Sequence, residues 1–326
     1  MKLIIFTLTI FLIVFSFINY NAFSSSFPEL DDYDTFGNEI IEIGDFDGDG
    51  IIDLAVGASE DDDGGKDKGA IYILFLNSDA TVKSYQKISD TSGNFNANLS
   101  INNEFGVSAQ KLGDFDGDGI IDLAVTSRHD DASGEDPSRK NAIIDKGAIY
   151  ILFLNSDATV KSYQKISDTS GNFNANLEEL GGFGRDITNV GDFDGDGIID
   201  LAVGAYRDDD GGEDKGAIYI LFLNSDATVK SYQKISDTSG NFNANLDDYD
   251  FFGRDITNVG DFDGDGIIDL AVGAYRDDDG GKDKGAIYIL FLNSDATVKS
   301  YQKISDTSGN FDLIRIIINF LKNIFF

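Results

Sequence analysis

Four aspartates at one fixed spacing carry the chemistry of this chain. The segment DFDGDGIID places carboxylates at Asp45, Asp47, Asp49 and Asp53, with Gly48 and Gly50 between them. Alternating side chains and two glycines, which take positive φ without strain, let such a segment curl around a small centre. The carbonyl of Ile51 then turns inward between Asp49 and Asp53. Positions one, three, five, seven and nine of the loop thus offer oxygen, and water completes the set. A hard ion taking six to eight oxygens at ~2.3–2.6 Å is matched, which means Ca²⁺ rather than Mg²⁺. The phrase GDFDGDGIIDLAV recurs letter for letter at Gly44, Gly113, Gly191 and Gly260, so one ion per copy, about four in all, is expected. A plain turn accounts for an isolated Asp-Gly, not for four aspartates at the same spacing in four places. Without a cation, carboxylates converging this closely repel and titrate high. The first half also matches an EF-hand, which needs a Glu at loop position twelve and flanking helices. Position twelve here is Val56, Val125, Val203 and Val272, within an apolar strand-like run, so that device is excluded.

The elements that position these loops repeat with them. The pair Phe-Gly stands at Phe36, Phe105, Phe183 and Phe252, 69, 78 and 69 residues apart. Each copy is followed by the acidic phrase, IIDLAV, a second polar loop, GAIYILFLN and SYQKIS. IIDLAV and GAIYILFLN are apolar runs of strand length, predicted to be buried on both faces. SYQKIS is more polar and carries Lys, as suits an outer edge strand. Four short strands per unit, repeated and apolar on both faces, stack radially, which predicts an all-β fold, a β-propeller of four-stranded antiparallel blades. The units run at about 36–104, 105–182, 183–251 and 252–311; the second is longer through the insertion SRHDDASGEDPSRKNAIIDK.

Composition narrows the partners. Among 326 residues, 58 Asp and Glu against 25 Lys and Arg give a net charge of −33. Nucleic acid needs a basic face for counterion release, and an anionic membrane surface repels such a chain. Residues 1–26 begin with one Lys and an apolar run from Leu3 to Ile18, the form of a secretory signal, with an uncleaved anchor as the alternative. Export to the cell surface or medium is the expectation. There is no cysteine, so neither disulfides nor thiolate metal sites exist. Residues 312–326 depart from the repeat as an apolar tail with Arg315 and Lys322, too short to span a bilayer.

Phe-Gly, then the Asp-rich loop, then DLAVGA resembles the FG-GAP repeats of the integrin alpha-subunit N-terminal propeller, in their microbial exported form. The resemblance covers residues 27 to about 311. It implies one blade per repeat with Ca²⁺ in the hairpin loop between the first two strands. The ligands it implies are Asp45, Asp47, Asp49, the Ile51 carbonyl and Asp53 in the first copy. The second copy offers Asp114, Asp116, Asp118, Ile120 and Asp122. The third offers Asp192, Asp194, Asp196, Ile198 and Asp200, and the fourth Asp261, Asp263, Asp265, Ile267 and Asp269. The proline of "GAP" is absent from every copy, and the second also replaces Gly-Ala by Thr126-Ser127.

The expected role is a non-catalytic, Ca²⁺-stabilised scaffold for adhesion or recognition of a protein or glycan. The alternatives are a Ca²⁺-dependent hydrolase of extracellular carbohydrate or lipid, and an inert fragment of a longer array. His129 is the only histidine, no Cys nucleophile exists, and no G-x-S-x-G elbow occurs. His129 lies in the polar insertion and reads as solvated. The RDDDGG segments from Arg207 and Arg276 read as solvated hairpin tips.

Overall fold

The computed structural model describes residues 30–130 and 145–309, which form sixteen strands in four sheets. The first sheet comprises β1 (Ile40–Gly44), β2 (Asp53–Ala58), β3 (Ala70–Leu76) and β4 (Val82–Ser89). The second holds β5 (Phe105–Gly113), β6 (Asp122–Ser127), β7 (Ala148–Leu154) and β8 (Val160–Ile166). The third holds β9 (Phe183–Gly191), β10 (Asp200–Ala205), β11 (Ala217–Leu223) and β12 (Val229–Ser236). The fourth holds β13 (Phe252–Gly260), β14 (Asp269–Ala274), β15 (Ala286–Leu292) and β16 (Val298–Ile304). Each sheet is an antiparallel meander with its strands in chain order. The polar VKSYQKI strand lies at the outer edge each time, as its composition predicts. Among the described residues no helix is long and apolar enough to cross a membrane. The proposed signal and the apolar tail lie outside the described residues.

Strand alternation explains the stacking. In AIYILFL of β3, Ile71, Ile73 and Phe75 point one way and Tyr72, Leu74 and Leu76 the other. The first set packs in one cluster with Val125, Tyr150, Leu152 and Leu154 of the second sheet. The same pairing joins Ile149, Ile151 and Phe153 to Tyr219, Leu221 and Leu223, and Ile218, Ile220 and Phe222 to Tyr288, Leu290 and Leu292. One face of β7 and of β11 therefore meets the sheet before it and the other the sheet after it, while β3 and β15 meet a neighbouring sheet on one face. The Phe of each of the first three SGNF turns reaches across as well. Phe95 stacks on Phe105 at 4.6 Å and meets Tyr150 edge-on at 5.3 Å. Phe173 with Phe183 and Phe242 with Phe252 repeat this at 5.2 and 4.8 Å. Such pairs contribute about 0.5–1.5 kcal/mol beyond area burial.

The closest part of each junction is backbone on backbone. A methyl group added at Gly57 would lie 2.2 Å from the Gly106 carbonyl oxygen, and one at Gly69 2.1 Å from that of Phe105. At the third junction a methyl group added at Gly204 or Gly216 would lie 2.0 Å from the carbonyl oxygen of Gly253 or Phe252. Gly69 and Gly216 form parallel bridges to Phe105 and Phe252. The Phe-Gly pair thus supplies a buried ring and a backbone with no Cβ to hold the neighbour off. The second sheet departs here with Thr126 in the place of Gly57, yet β6 keeps the register of its counterparts. The Thr126 hydroxyl donates to the Ser108 carbonyl at 3.2 Å and accepts the Ser108 N–H at 3.1 Å. The Ser127 hydroxyl donates to the Asn103 carbonyl at 2.8 Å. Both new hydroxyls are satisfied internally, so the missing Gly-Ala leaves the strand intact.

The first strands of successive sheets pack side by side, β5 against β9 and β9 against β13. They converge on an inner rim carrying Glu39, Ser108, Asp186 and Asp255, each two residues after a Phe-Gly glycine. Asp186 accepts the Ser108 hydroxyl at 3.0 Å and the Ile256 N–H at 2.6 Å. Burial, reinforced by the negative charge of Asp186, pushes the Glu39 carboxyl up to about 7, against a pull from Arg185. A raised carboxyl stabilises the fold fully below its ordinary range and loses that contribution as pH rises through about 7. Glu39→Gln should therefore match the parent near pH 4 and exceed it near pH 8 by about 1–3 kcal/mol in urea unfolding. Equal midpoints at both pH values would contradict the assignment. Gly204→Ala should cost about 1–3 kcal/mol by forcing the third and fourth sheets apart; an unchanged midpoint would show that the close approach is not needed.

Candidate metal centre

Each acidic phrase folds as the hairpin loop between the first two strands of its sheet, where the sequence places it. In the first copy β1 ends at Gly44 and β2 starts at Asp53. Gly48 and Gly50 take φ of 78° and 88°, and the equivalent glycines of the other copies take 79–90°. These values suit glycine and little else. Nothing lies within 4 Å of the position a Cβ would occupy at Gly48 or Gly50, so the requirement is conformational rather than steric.

The ninth residue anchors the loop. Asp53 is fully buried; its Oδ2 accepts the N–H groups of Phe46 at 3.0 Å and Asp47 at 3.4 Å, and its Oδ1 accepts that of Leu76 at 2.9 Å. It therefore ties the acidic loop to the far end of β3. Asp122, Asp200 and Asp269 make the same bonds to Leu154, Leu223 and Leu292 at 3.0, 2.9 and 3.0 Å. Burial outweighs these bonds and pushes the Asp122 and Asp200 carboxyls up to about 6.

The exposed aspartates organise the rest of the loop. Asp45 accepts the Gly50 N–H at 2.9 Å, Asp47 that of Asp49 at 3.2 Å, and Asp49 that of Ile51 at 2.9 Å. A lysine from β4 closes the group: Lys83 Nζ donates to Asp47 and Asp49, each at 2.7 Å. Lys230 and Lys299 repeat that bridge in the third and fourth copies, and Lys161 pairs with Asp116 and Asp118 in the second. Sequence reading missed these lysines, although VKSYQKI puts one at the same place in every repeat.

Of the predicted ligands, the structure gathers oxygens of Asp45, Asp47 and Asp53 within 4.8 Å of one another, and likewise Asp114, Asp116 and Asp122, and Asp192, Asp194 and Asp200. In the fourth copy the group is Asp261, Asp263 and Asp265. Asp49, Asp118, Asp196 and Asp269 stand outside these groups. The donors are carboxylate oxygens only, a set that fits a hard cation and not a soft one. Four Asp-rich groups able to bind ions are therefore present.

The second polar loop corrects the sequence reading. Asp208 and Asp277, expected at solvated tips, are buried, as are Asp61 and Asp130. Asp208 accepts the Tyr219 hydroxyl at 3.1 Å and pairs with Lys234 at 2.7 Å. Asp61 does so with Tyr72 at 2.9 Å and Lys87 at 2.8 Å. Two residues on, Asp210 accepts the Ser236 hydroxyl at 2.5 Å and draws on Thr238 and Ser239; burial pushes its carboxyl up, but these bonds with Lys234 together outweigh it and hold the carboxyl down to about 2. In the first, third and fourth units these loops are hydrogen-bonded structural networks. His129 is half-buried rather than solvated, its Nδ1 3.0 Å from Asp145 Oδ2 and its Nε2 3.6 Å from Glu104. Residues 131–144 of the insertion lie outside the described residues.

Comparison with known proteins agrees with this architecture. The FG-GAP repeat model matches residues 39–74, 183–221 and 252–290, in the first, third and fourth units. The chain is 30% identical to integrin alpha-PS2 of Drosophila melanogaster over 242 residues, 72% of this chain and 15% of that protein. It is 26% identical to integrin alpha-4 of Xenopus laevis over 166 residues, 51% of this chain and 14% of that protein. Mouse integrin alpha-2 is 31% identical over 131 residues, 40% of this chain and 10% of that protein. The chain thus spans about a seventh of the length of the first two relatives. With four antiparallel sheets joined through Phe-Gly backbone and an Asp-rich hairpin loop in each, it is an FG-GAP repeat protein, distantly related to the N-terminal region of integrin alpha subunits.

Proposed function

We propose that this chain is an exported, Ca²⁺-stabilised scaffold of propeller type that recognises a protein or glycan without transforming it. The observation that carries the reading is the convergence of three carboxylates in each of four identical hairpin loops. Ca²⁺ in each loop would draw on Asp45, Asp47, Asp49, the Ile51 carbonyl and Asp53, or their counterparts in the other three copies. Asp49, Asp118 and Asp196 join by turning from the lysine that holds them. The ion would supply the charge that the buried ninth carboxylate lacks, so binding would be coupled to folding. An extracellular setting is supported by the relatives being integrin alpha subunits, and loops of this type suit extracellular Ca²⁺ with Kd of roughly 10⁻⁴–10⁻³ M. A non-catalytic role is supported by the repetition itself: the acidic loops are the same in every sheet, whereas a catalytic centre needs a unique constellation.

Titration calorimetry of Ca²⁺ into the chelator-treated full chain should show uptake near four ions. At 10 to 100 times Kd each loop adds about 1.4–2.7 kcal/mol of stability, read as a rise in melting temperature. Asp45→Asn with Asp47→Asn should remove one ion while leaving the ion-free melt nearly unchanged, because both residues are exposed and surface pairs contribute about 0–1 kcal/mol. Uptake that is absent, or indifferent to this double substitution, would overturn the reading.

A further inference from the structure

The three internal junctions show what a sheet needs on each side, and among the described residues the first and fourth sheets each have one side without such a neighbour. Counterpart residues make the deficit measurable. Ile71, Ile149 and Ile218 are fully buried under the following sheet, whereas Ile287 in the fourth sheet is 46% exposed. On the opposite side, Ala109, Ile187 and Ile256 are 2%, 3% and 7% exposed against the preceding sheet, whereas Ile40 in the first sheet is 60% exposed. The glycines agree. A Cβ at Gly106 or Gly253 would lie 2.4 or 2.3 Å from a carbonyl of the preceding sheet, while Gly37 has nothing within 4 Å. A Cβ at Gly204 or Gly216 would lie 2.0 Å from a carbonyl of the following Phe-Gly, while one at Gly273 would meet nothing nearer than Asp255 of its own sheet, at 3.7 Å. Gly273, Gly285, Ile287 and Ile304 line an open groove of about 750 Å³.

We propose that this groove receives the first sheet of a second copy of the chain, Phe36-Gly37 docking on Gly273 and Gly285 as Phe252-Gly253 docks on Gly204 and Gly216. The docking continues an interface the chain already forms three times within itself. The lead-in supports it. In LDDYD at 246–250, the N–H of Tyr249 donates to the Glu213 carbonyl at 2.8 Å, and those of Phe251 and Phe252 donate to Asp214 and Lys215 at 3.2 and 2.9 Å. Asp248 accepts the Glu213 N–H at 3.2 Å. The same LDDYD stands at 30–34, where Tyr33 is 86% exposed. Among the described residues, no backbone N–H outside the strand ladders bonds to the carbonyls of Lys282, Asp283 or Lys284, the matching loop of the fourth sheet. Charge favours the intermolecular pairing over the internal one: Lys282 stands where Glu213 does, so Asp32 meets a cation where Asp248 meets a carboxylate. Such a contact is head-to-tail, and it gives a ring if the rotation closes and a filament if it does not.

Sedimentation equilibrium of the full chain in Ca²⁺ tests this. The expected mass is that of two or more copies, falling to one copy for Ile40→Glu and for Ile287→Glu, each of which keeps a cooperative melt. Mixing the two variants should restore a two-copy species, because each retains the half the other lacks. A face-to-face pairing of fourth sheets would ignore Ile40→Glu and would not be restored by mixing, which overturns the head-to-tail assignment. A single-copy mass for the parent at all concentrations overturns the proposal outright. If deletion of residues 310–326 then creates association, the chain's own apolar tail is the occupant instead.

Discussion

The close approach of one peptide backbone to another, with no side chain between, governs this molecule. Phe105-Gly106, Phe183 and Phe252-Gly253 lay their carbonyls against glycines of the preceding sheet, and the distances exclude even a methyl group there. Everything else follows from that spacing. The rings of Phe105, Phe183 and Phe252 fall onto the SGNF phenylalanines and the tyrosines of the central strands. The apolar strands can then be buried on both faces, which their unbroken composition demands. The acidic loops, at the other end of the same first strands, inherit their placement from this contact.

A second constraint ties the loops to that frame. The ninth aspartate is buried and hydrogen-bonded both to its own loop and to the end of the third strand. A cation held beside it would brace three strands of a sheet rather than one turn. The lysine from the fourth strand adds the remaining one, so each loop is in contact with its whole sheet. An ion at the surface would thereby be linked to the register of the meander, and its binding to folding.

Much of this was legible in the residues. The strand order, the outer position of VKSYQKI and the hairpin placement of the acidic phrase follow from periodicity, composition and glycine spacing. Three of the four carboxylates expected in each loop do converge. The partial departure in the fourth copy, where Asp265 replaces Asp269 in the group, could not be read from a sequence identical to the others. The burial of Asp208 and Asp277 was missed for a different reason. An acidic turn looks solvated until the Tyr and Lys that satisfy it, from strands 11 and 26 residues away, are seen beside it. The exposure of Ile287 was equally hidden, because β15 is identical to β3, β7 and β11 and differs only in what stands next to it.

Identity between units has a kinetic consequence. The stretch KGAIYILFLNSDATVKSYQKISDTSGNF occurs four times without change. The third strand of any sheet can therefore pair with the fourth strand of any other in full native register. Local chemistry cannot tell the correct partner from a distant one; only chain connectivity and the order of synthesis can. Strand exchange between repeats, within a chain or between chains, is then a misfolding route of native-like stability. The longer loop of the second unit and its Thr126-Ser127 pair are breaks in that degeneracy, marking one sheet as different from the rest.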